Sequence, residues 1–492
     1  MKTASPSPHL AILFLSILLA LAFQGTRGLW SPDEGRYVDV ALEMLTSGDY
    51  LHPHLEPERP HYTKPPLTYW TLALSIRLFG HNEWAVRLPY ALAFVLTTWL
   101  VMVIGRQLLP PERAWLAGLF YATSLLPALA ANVVTTDTLL TLFETLAMTG
   151  FVLTWRRPEQ QRWMLLMWLG FALGFLTKGP PALLPLLGIA GFLFWQSEHR
   201  LWKVLFAPAG LLVFVLVGGS WYALVLIDNP ALLDYFIRYE VLERIAGSAH
   251  KRHSEWYGGL KIYLPTLLIG SLPWGLLGLY GLFGKNPGRP GVPVNRLLLS
   301  WLLIPLAVFF VARSRLPFYL LPLFVPLALL VASRLPQTWI ESCRRPWLIA
   351  GLMVTMLWIA LKGLAAYMPS DQDDRALSRE LQTLIKARPD HEIVFIDSTP
   401  RYGLNFYFRE DVEYLCMLDP CVSLGLSQDE SLEQELAERE GPGYYLVPTA
   451  SFNRFIEKIQ PANKVEVTLL GTVRNWQLVE MRLTETPGKG AE

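Results

Sequence analysis

Charged residues and cysteines are scarce in this 492-residue chain. Charged residues make up 17% of the sequence, whereas hydrophobic residues make up 52%. An ordinary soluble domain has about 25% charged residues, so this balance excludes that class and indicates a membrane protein. Three cysteines are too few for a disulfide framework. The formal net charge of +1 gives no electrostatic reason to expect a nucleic-acid partner.

The chain also lacks the glycine-rich fingerprints of nucleotide-binding folds. Neither a Walker nor a Rossmann pattern occurs, so a cytosolic nucleotide sugar is not implied as a substrate.

What the chain does have is a series of long apolar runs, and a membrane span needs about 20 mostly apolar residues. We predict eleven spans, within a range of 11 to 13 because two short proline-bearing runs can be divided differently. The predicted spans are 9–26, 84–104, 114–131, 137–154, 163–177, 181–196, 204–226, 262–283, 296–312, 316–333 and 347–367. The first run, with Lys2 before it and "ALA" at 20–22, also resembles a signal peptide. We interpret it as the first span.

The loops between these runs alternate in charge. One set is short and basic, which by the positive-inside rule places it in the cytoplasm. Its cations are Arg106, Arg113, Arg156, Arg157, Arg162, Arg200, Lys203, Lys285, Arg289, Arg296, Arg334, Arg344 and Arg345. The N-terminus is then cytoplasmic, and the other loops face outward together with the tail. We expect a multi-pass protein of the bacterial inner membrane.

The tail differs in character from the rest. "EIVFID", "YYLVP" and "VEVTLLGTV" predict strands, while "DRALSRELQTLIKA" and "SLEQELAERE" predict helices. We therefore expect a membrane domain over 1–368, including an outward loop at 27–83, and an extracytoplasmic soluble α/β domain over 369–492. Cys416 and Cys421 could form a local disulfide in that domain, whereas Cys343 is predicted to be cytoplasmic and free.

The stretch "SPDEGRYVDVALEML" places two adjacent carboxylates directly after the first span. Ser31 as N-cap and Glu34 at the third helical position form a capping box, which accounts for Glu34. Asp33 needs another explanation, because one capping acid suffices. Arg36 and Tyr37 follow three and four residues later, within reach of Asp33 on the same helix face.

Further ionisable residues stand at the predicted outward boundaries of the spans. Two of them also have a purely structural interpretation. Lys64 can be a lysine that reaches from apolar surface to water, and Asp137 can be an N-terminal capping residue. Glu144 is seven residues after Asp137, on the same helix face and inside the membrane, so we expect it to face the protein interior. The other outward residues of this kind are Lys178, Glu240, Arg244, His250, His253, Arg313 and Arg315, with Tyr319 beside them.

Together, these residues put an acid, several cations and histidines at one level of the membrane, facing one compartment. Transfer from a lipid-linked phosphate needs such a set. Lysine and arginine bind the phosphate and stabilise it as a leaving group. A carboxylate takes the proton of an acceptor hydroxyl.

The order of several motifs resembles the aminoarabinose (lipid A) transferase-like branch of the protein O-mannosyltransferase superfamily. The resemblance covers about residues 28–335. The motifs are "SPDEGRYVDVALEMLTSGDYLHPHL", "HYTKPPLTYWTLALSIRLFG", "RLPYAL", "DTLLT", "LTKGP", "YEVLERIAGSAHKRH", "GSLPW" and "RLPFYLLP". The pair D-E-x-R-Y and K-P-P-L is the specific part.

This resemblance implies a GT-C fold and inverting transfer of a sugar from a polyprenyl-phosphate donor to lipid A, another glycolipid or glycan, or a protein. It implies that Asp33 is the general base and that Asp137 is a further catalytic acid at the opening of the fourth span. It assigns the donor phosphate or lipid to other positions of this sequence: Arg36, Tyr37, Lys64, Lys178, Arg315 and Tyr319.

One motif departs from the family pattern. Aminoarabinose transferases have a glutamate before the K-P-P lysine, and it binds a metal together with a loop histidine. Here that position is Thr63, and the histidine falls on His253, with His250 as the alternative. Zinc prefers three or four N, S or O ligands, so a zinc site is possible only if another acid such as Asp137 completes it. We expect no tightly bound metal.

We conclude from the sequence that the chain is a membrane glycosyltransferase of the GT-C type. The main alternative is a transporter or flippase of lipid-linked sugars. Transporters usually have inverted repeats and ionisable residues at mid-membrane. The sequence has no evident repeat, and most candidate residues lie at outward boundaries. A third reading, a membrane scaffold, would make the tail the functional part.

Overall fold

A computed structural model describes most of the chain. The described residues are 7–56, 59–197, 199–242, 253, 255–278, 291–341, 344–385, 393–409, 412–415, 443–459 and 465–483. All three cysteines, His250 and the predicted helix at 431–440 lie outside them. The described residues fall into two compact units, which we take in turn.

The first unit contains the apolar runs. It comprises the residues up to Thr26, Met44–His54 and Arg59–Tyr367. Its helices, together with α2, which crosses the boundary between the units, are α1 Pro8–Leu21, α2 Asp33–Ser47, α3 Leu67–Phe79, α4 Glu83–Leu108, α5 Pro111–Thr123, α6 Leu125–Ala130, α7 Thr136–Arg156, α8 Gln161–Lys178, α9 Leu184–Gln196, α10 His199–Leu205, α11 Pro208–Val213, α12 Ser220–Asp228, α13 Leu232–Asp234, α14 Gly258–Gly270, α15 Val292–Val311, α16 Phe324–Arg334, α17 Gln337–Glu341 and α18 Arg344–Tyr367. Short 3₁₀ segments, Pro180–Leu183 and Pro317–Leu323, precede α9 and α16.

Each predicted span overlaps at least one of these helices. Among the described residues, six helical segments are long and apolar enough to cross a membrane, and two shorter apolar segments, Pro8–Leu21 and Pro180–Gln196, accompany them. The chain is therefore a multi-pass, mainly helical membrane protein. Prolines and short turns divide several of the remaining predicted runs, which explains why length alone does not fix the number of spans.

Helices α7 and α8 pack unusually closely because glycine lines their contact. A Cβ added at Gly150 would lie 2.4 Å from the Met167 backbone nitrogen, and one at Gly170 would lie 2.5 Å from that of Ala147. Small residues let the backbones of membrane helices approach in this way. Because the two helices are antiparallel neighbours, the start of α7 lies beside the end of α8.

The second unit is an α/β domain. It comprises Arg27–Glu43, Leu55–Glu58 and the chain from Met368 onwards. After the short strands β1 His54–Glu56 and β2 Arg59–Pro60 come α19 Asp374–Ile385, β3 Ile393–Ile396, α20 Gly403–Phe408, β4 Val412–Leu415, β5 Gly443–Pro448, α21 Phe452–Ile459, β6 Val465–Val473 and β7 Trp476–Leu483. The three strands and the first helix predicted for the tail are confirmed; β4 and β7 were not predicted.

These strands form one mixed sheet in the order β4-β3-β5-β7-β6. β3 pairs in parallel with β4 and β5, whereas β7 pairs antiparallel with β5 and β6. β3 is buried along its whole length, as expected of a central strand covered on both faces. One face packs on α19 through Leu377 and Leu381, and the other packs on α21 through Phe455 and Ile459.

The division of the chain differs from the predicted one at the outward loop. The sequence suggested that all of 27–83 accompanies the membrane domain, whereas Arg27–Glu43 and Leu55–Glu58 group with the tail. The cause lies in backbone pairing with residues near the start of α19. The Ser31 N–H donates to the Gln372 carbonyl at 3.0 Å, and the Asp374 N–H donates to the Leu29 carbonyl at 3.0 Å.

The start of α2 also differs from the predicted capping box. The helix begins at Asp33, and the Glu34 carboxylate accepts the backbone N–H of Trp30 at 3.0 Å, not that of Ser31. The Ser31 hydroxyl donates instead to Asp374, at 2.6 Å. The prediction of Ser31 as the N-cap was therefore wrong, because a distant carboxylate competes for its hydroxyl. The predicted helix end is confirmed: α2 stops at Ser47, and Gly48 has a φ of 76°.

Candidate active site

A buried ion pair lies where α7 begins and α8 ends. The Lys178 ammonium donates to Asp137 Oδ1 at 2.5 Å, and both side chains are largely buried. Asp137 Oδ2 accepts a hydrogen bond from the Thr135 hydroxyl at 3.0 Å. The capping interpretation of Asp137 needs refinement, because the N-cap of α7 is Thr135, whose hydroxyl accepts the Asp137 N–H at 3.4 Å. The Asp137 carboxylate is thereby left to hold Lys178.

Tyr319 lies against the same lysine. The Lys178 ammonium is 4.3 Å from the centroid of the Tyr319 ring, within the range of a cation–π contact. Glu144, two turns further along α7, is buried and interacts electrostatically with both Lys178 and Asp137. Its predicted interior position is confirmed. One cation thus stands among two carboxyl groups and an aromatic face.

Arg315 is also buried, but backbone carbonyls already occupy much of its guanidinium. One terminal nitrogen donates to the carbonyls of His253 at 2.6 Å and Glu255 at 2.8 Å. The other donates to the Phe310 carbonyl at 3.1 Å. In the described residues, Arg315 Nε has no hydrogen-bond partner. Arg315 therefore ties His253 and Glu255 to the end of α15, while its Nε–H remains as a hydrogen-bond donor for another group.

Lys64 lies just before α3 in a short polar turn. Its ammonium donates to the Thr63 carbonyl at 2.6 Å. The Thr63 hydroxyl lies 2.7 Å from His61 Nε2, so hydroxyl and imidazole share a hydrogen bond. The residue that replaces the family glutamate is thus already engaged with a histidine two positions before it.

This arrangement does not fit the metal site that the family resemblance implies. Zinc needs several N, S or O ligands converging on one point. Thr63 is bonded to His61, and the His253 side chain is exposed while its carbonyl accepts from Arg315. Within the described ranges, no group of three His, Cys, Asp or Glu residues is arranged to hold a metal ion.

In the second unit, the first turn of α2 carries another charged pair. Arg36 donates to Asp33 Oδ1 at 2.6 Å, and the Arg36 guanidinium lies 5.8 Å from the centroid of the Tyr37 ring. The predicted proximity of Asp33 and Arg36 is confirmed. The Asp33 side chain is 55% exposed, whereas that of Arg36 is 30% exposed, so the carboxylate is accessible to a solute.

The neighbouring carboxylate is in a different situation. Glu34 is 3% exposed and forms a bidentate pair with Arg27, at 2.6 and 2.9 Å, in addition to its bond from the Trp30 N–H. Arg27 lies 4.3 Å from the centroid of the Trp30 ring. Fixed geometry of this kind holds the chain at the helix start. The two adjacent acids therefore differ: Glu34 is locked into the fold, and Asp33 is available.

Within the first unit, three predicted site residues meet: Asp137, Lys178 and Tyr319. In the second unit, Asp33, Arg36 and Tyr37 meet on the first turn of one helix. Lys64, Arg315 and His253 have the separate contacts given above.

Two residues beside these groups escaped the sequence reasoning. Tyr263, on α14, is fully buried, and its hydroxyl has no hydrogen-bond partner among the described residues. It interacts electrostatically with Tyr319, Arg315 and Asp137. A tyrosine within an apolar run is expected to be a core residue, so no sequence signal marked Tyr263. His61 did carry a signal, since it is two residues from Thr63 in a polar turn.

Comparison with known proteins gives the context of these groups. Residues 63–222 match the family model described as dolichyl-phosphate-mannose-protein mannosyltransferase. The chain is 35% identical over 369 residues to the undecaprenyl phosphate-alpha-4-amino-4-deoxy-L-arabinose arabinosyl transferase of Edwardsiella ictaluri, covering 73% of this chain and 64% of that protein. It is 34% identical over 379 residues to the transferase of the same name in Pectobacterium carotovorum, with 73% and 65% covered.

The chain is thus similar to the aminoarabinose transferases, and part of it matches the mannosyltransferase family model. The resemblance expected from the motifs is confirmed. The match spans less than two thirds of the length of these curated relatives.

Solved structures agree on the fold. ArnT from Cupriavidus metallidurans, in a structure bound to undecaprenyl phosphate, has a TM-score of 0.76 at 18% identity, covering 96% of this chain and 97% of that one. An oligosaccharyltransferase from Archaeoglobus fulgidus has a TM-score of 0.51 at 12% identity, covering 82% and 63%. This chain therefore has the GT-C fold, as predicted, with a small C-terminal α/β domain.

Proposed function

We propose that this chain is an inverting membrane glycosyltransferase that transfers a sugar from a polyprenyl-phosphate donor to an outward-facing acceptor. The observation that carries the proposal is the contrast between Asp33 and Glu34. Glu34 is consumed by Arg27 and the Trp30 backbone, whereas Asp33, at the family's base position, is largely exposed. A helix start needs one such acid, so the accessible one is free for chemistry.

In the proposed step, Asp33 accepts the proton of an acceptor hydroxyl. The hydroxyl oxygen forms a bond to the anomeric carbon, and the bond between that carbon and the phosphate oxygen breaks. The polyprenyl phosphate leaves with the electron pair. Attack opposite the leaving group inverts the configuration. General-base assistance of this kind contributes about 10²–10⁴-fold to a rate.

We assign binding of the donor phosphate to cations at the positions that the family resemblance marks. Arg36, Lys64 and Lys178 would neutralise it and stabilise the charge that grows on it as it leaves. Arg315 would donate a hydrogen bond to the phosphate from Nε, which has no partner among the described residues. Tyr319 and Tyr37 supply aromatic surfaces beside two of these cations, suited to the sugar face or the first isoprene units.

Asp137 has two roles under this proposal. It holds the Lys178 ammonium in place before the donor arrives, and it keeps the ammonium there while the phosphate binds to it. A fixed cation that needs no rearrangement stabilises developing charge better than a mobile one. We count Asp137 among the catalytic residues for this reason.

We propose that the reaction needs no tightly bound metal. Thr63 is engaged with His61, and the lysines and arginines already provide the positive charge that an ion would bring to the phosphate. Elemental analysis of purified protein, with an assay after exhaustive chelation, tests this. Stoichiometric zinc, with activity lost on chelation and restored by the metal, would contradict it.

The orientation in the membrane is proposed from the loop charges. The basic loops lie in the cytoplasm with the N-terminus, and the reaction and the α/β unit lie on the periplasmic side of the inner membrane. Reporter fusions after Arg157 and at the C-terminus test this assignment. We expect the first to report cytoplasm and the second to report periplasm.

The relatives named above are transferases of undecaprenyl phosphate-linked 4-amino-4-deoxy-L-arabinose. We therefore propose this donor first and lipid A as the first acceptor, with other glycolipids, glycans and proteins as further candidates. The experiment incubates the purified chain with that donor and lipid A and follows product by mass spectrometry. Product with the wild type and none with Asp33→Asn supports the proposal.

The alternative transporter function predicts a different result. A flippase of lipid-linked sugars would move the labelled donor across vesicle membranes and form no new glycosidic bond. Donor translocation without product, unaffected by Asp33→Asn, would replace the proposed function with this one. A scaffold would show neither activity.

A further inference from the structure

The base-bearing helix α2 is attached to the α/β unit near the start of α19. Hydrogen bonds join Ser31 to Gln372 and Leu29 to Asp374 through the backbone. The Ser31 hydroxyl donates to Asp374 Oδ2 at 2.6 Å, across 343 positions of sequence. The Leu29 N–H donates to the Tyr407 hydroxyl at 2.8 Å.

Two further contacts hold the first half of α2 against α20. Asn405 donates to Asp39 Oδ1 at 2.8 Å in a buried position. Gly35 lies so close to Gly403 that an added Cβ would be 2.4 Å from the Gly403 nitrogen. Gly35 stands between Glu34 and Arg36, so the backbone that carries the Asp33–Arg36 pair rests directly on the backbone of the α/β unit.

Asp374 is the centre of this attachment. It is fully buried and pairs with Arg401 at 2.7 Å while accepting from Ser31. Burial raises the pKa of Asp374 to about 7, against the lowering effects of Arg401 and Ser31; Asp373 raises it slightly. One carboxyl group thus joins Ser31, just before α2, to Arg401, just before α20.

We infer that the α/β unit positions the catalytic helix, and that Ser31 and Asp374 are positioning residues which set the placement of Asp33 and Arg36. The inference rests on the proposed function, since it assumes that Asp33 acts as the base. It assigns a task to the C-terminal domain: to fix the first turn of α2 from outside the membrane. A general base must be held within hydrogen-bond distance of the proton it removes, so a loosened helix lowers turnover even when it stays folded.

The test uses the full chain, purified in lipid nanodiscs. Ser31→Ala removes the hydroxyl, and Ser398→Ala is the matched control. Ser398 is a buried serine of the same unit whose hydroxyl donates to the Ile396 carbonyl and accepts from Trp476, away from α2. Hydrogen exchange of the amides at 35–43 measures how firmly α2 is held, and it needs no activity assay. Initial rates with the undecaprenyl-phosphate donor measure the effect on sugar transfer.

For Ser31→Ala we expect exchange at 35–43 to rise at least tenfold and kcat to fall about tenfold. We expect the donor KM to change less than kcat, because Lys64 and Lys178 are proposed to bind the phosphate together with Arg36, and only Arg36 lies on the loosened turn. Asp374→Ala should change both measurements at least as much, because it also removes the pair with Arg401. The double variant should be no worse than Asp374→Ala alone, since both substitutions remove the hydrogen bond between Ser31 and Asp374. Asp374→Asn keeps a neutral acceptor for Ser31 and should retain most activity. Ser398→Ala should leave both readings unchanged.

Faster exchange with unchanged kcat would overturn the inference, because the attachment would then not matter for turnover. Unchanged exchange at 35–43 would overturn it as well, because Ser31 would then not hold the helix. Additive losses in the double variant would show that the two residues act separately. That result would also overturn the inference. A wild-type chain that transfers no sugar contradicts the proposed function instead, while the exchange data still report on the attachment.

Discussion

The charged pairs of the two units differ in one decisive respect, their exposure to solvent. Lys178 and Asp137 meet in the membrane unit with side chains 10% and 6% exposed, whereas Arg36 and Asp33 meet in the α/β unit with side chains 30% and 55% exposed. A buried pair is held by the surrounding fold and costs desolvation energy. An exposed pair on one helical turn contributes little to stability and exchanges partners readily. The first suits a fixed binding element, and the second suits a group that must meet an acceptor and take its proton.

The largest expected effect is on the buried pair. Lys178→Met leaves Asp137 buried without its cation, and breaking a buried pair typically costs about 3–5 kcal/mol. We expect a marked loss of thermal stability in detergent. The double variant Lys178→Met with Asp137→Leu removes both charges and should recover most of that stability while remaining inactive.

Those two variants separate folding from function. Thermal unfolding, followed by size-exclusion chromatography after heating, measures the first; sugar transfer measures the second. A double variant that is both stable and active would show that the pair is structural only.

Asp33→Asn should have the next largest effect, and it acts on activity alone. The amide keeps the size of the side chain but accepts no proton, so transfer should fall by about 10²-fold or more. Glu34→Gln makes the matched comparison, because it weakens the bidentate contact with Arg27. That variant should lose stability first and keep a normal rate per folded molecule. If the Asp33→Asn enzyme transferred sugar at a rate within threefold of the wild type, Asp33 would not be the general base.

Lys64→Met tests a cation that belongs to neither pair. The substitution keeps the apolar stem and removes the charge. A hydrogen bond to a charged group contributes about 1.5–3 kcal/mol, so the donor KM or the turnover should change at least tenfold. Titration of the donor in initial-rate assays provides the measurement. Unchanged donor kinetics would favour the view that Lys64 only reaches from apolar surface to water.

The sequence predicted the individual members of these groups better than their pairing. Asp137 and Lys178 each stood out as an ionisable residue at the edge of an apolar run, but their contact depends on the glycine-lined approach of α7 and α8. Such an approach depends on the three-dimensional fit of two surfaces, and no local pattern encodes it. The contact of Asp33 with Arg36 was predictable because helical spacing alone brings i and i+3 together.

The same reasoning explains the wrong interpretation of Ser31. A serine before an acidic helix start is an ordinary N-cap, and local propensity favours that role. Asp374, 343 positions later in the chain, overrides it. The strands of the tail were predictable because β3, β5 and β6 are runs rich in β-branched and aromatic residues. The grouping of 27–43 with that tail depends on hydrogen bonds between distant segments, which no periodicity indicates.

The smallest expected effect concerns Tyr263, the buried tyrosine near the membrane unit's pair. Its hydroxyl has no hydrogen-bond partner in the part of the chain that the structure describes, and a buried hydroxyl without a partner is costly. We therefore predict that the bound donor supplies the partner, with the hydroxyl donating to a phosphate oxygen. Tyr263→Phe should then raise the donor KM about three- to tenfold, from the loss of roughly 0.5–1.5 kcal/mol for one neutral hydrogen bond, without loss of thermal stability. Tyr121→Phe is the control, because Tyr121 is equally buried but hydrogen-bonds to Thr97; it should lower stability and leave the donor KM unchanged. If Tyr263→Phe instead stabilised the protein and left the donor kinetics unchanged, the hydroxyl would only destabilise the fold. Tyr263 would then not belong to the donor-binding site of the membrane unit, whereas Tyr319 still would.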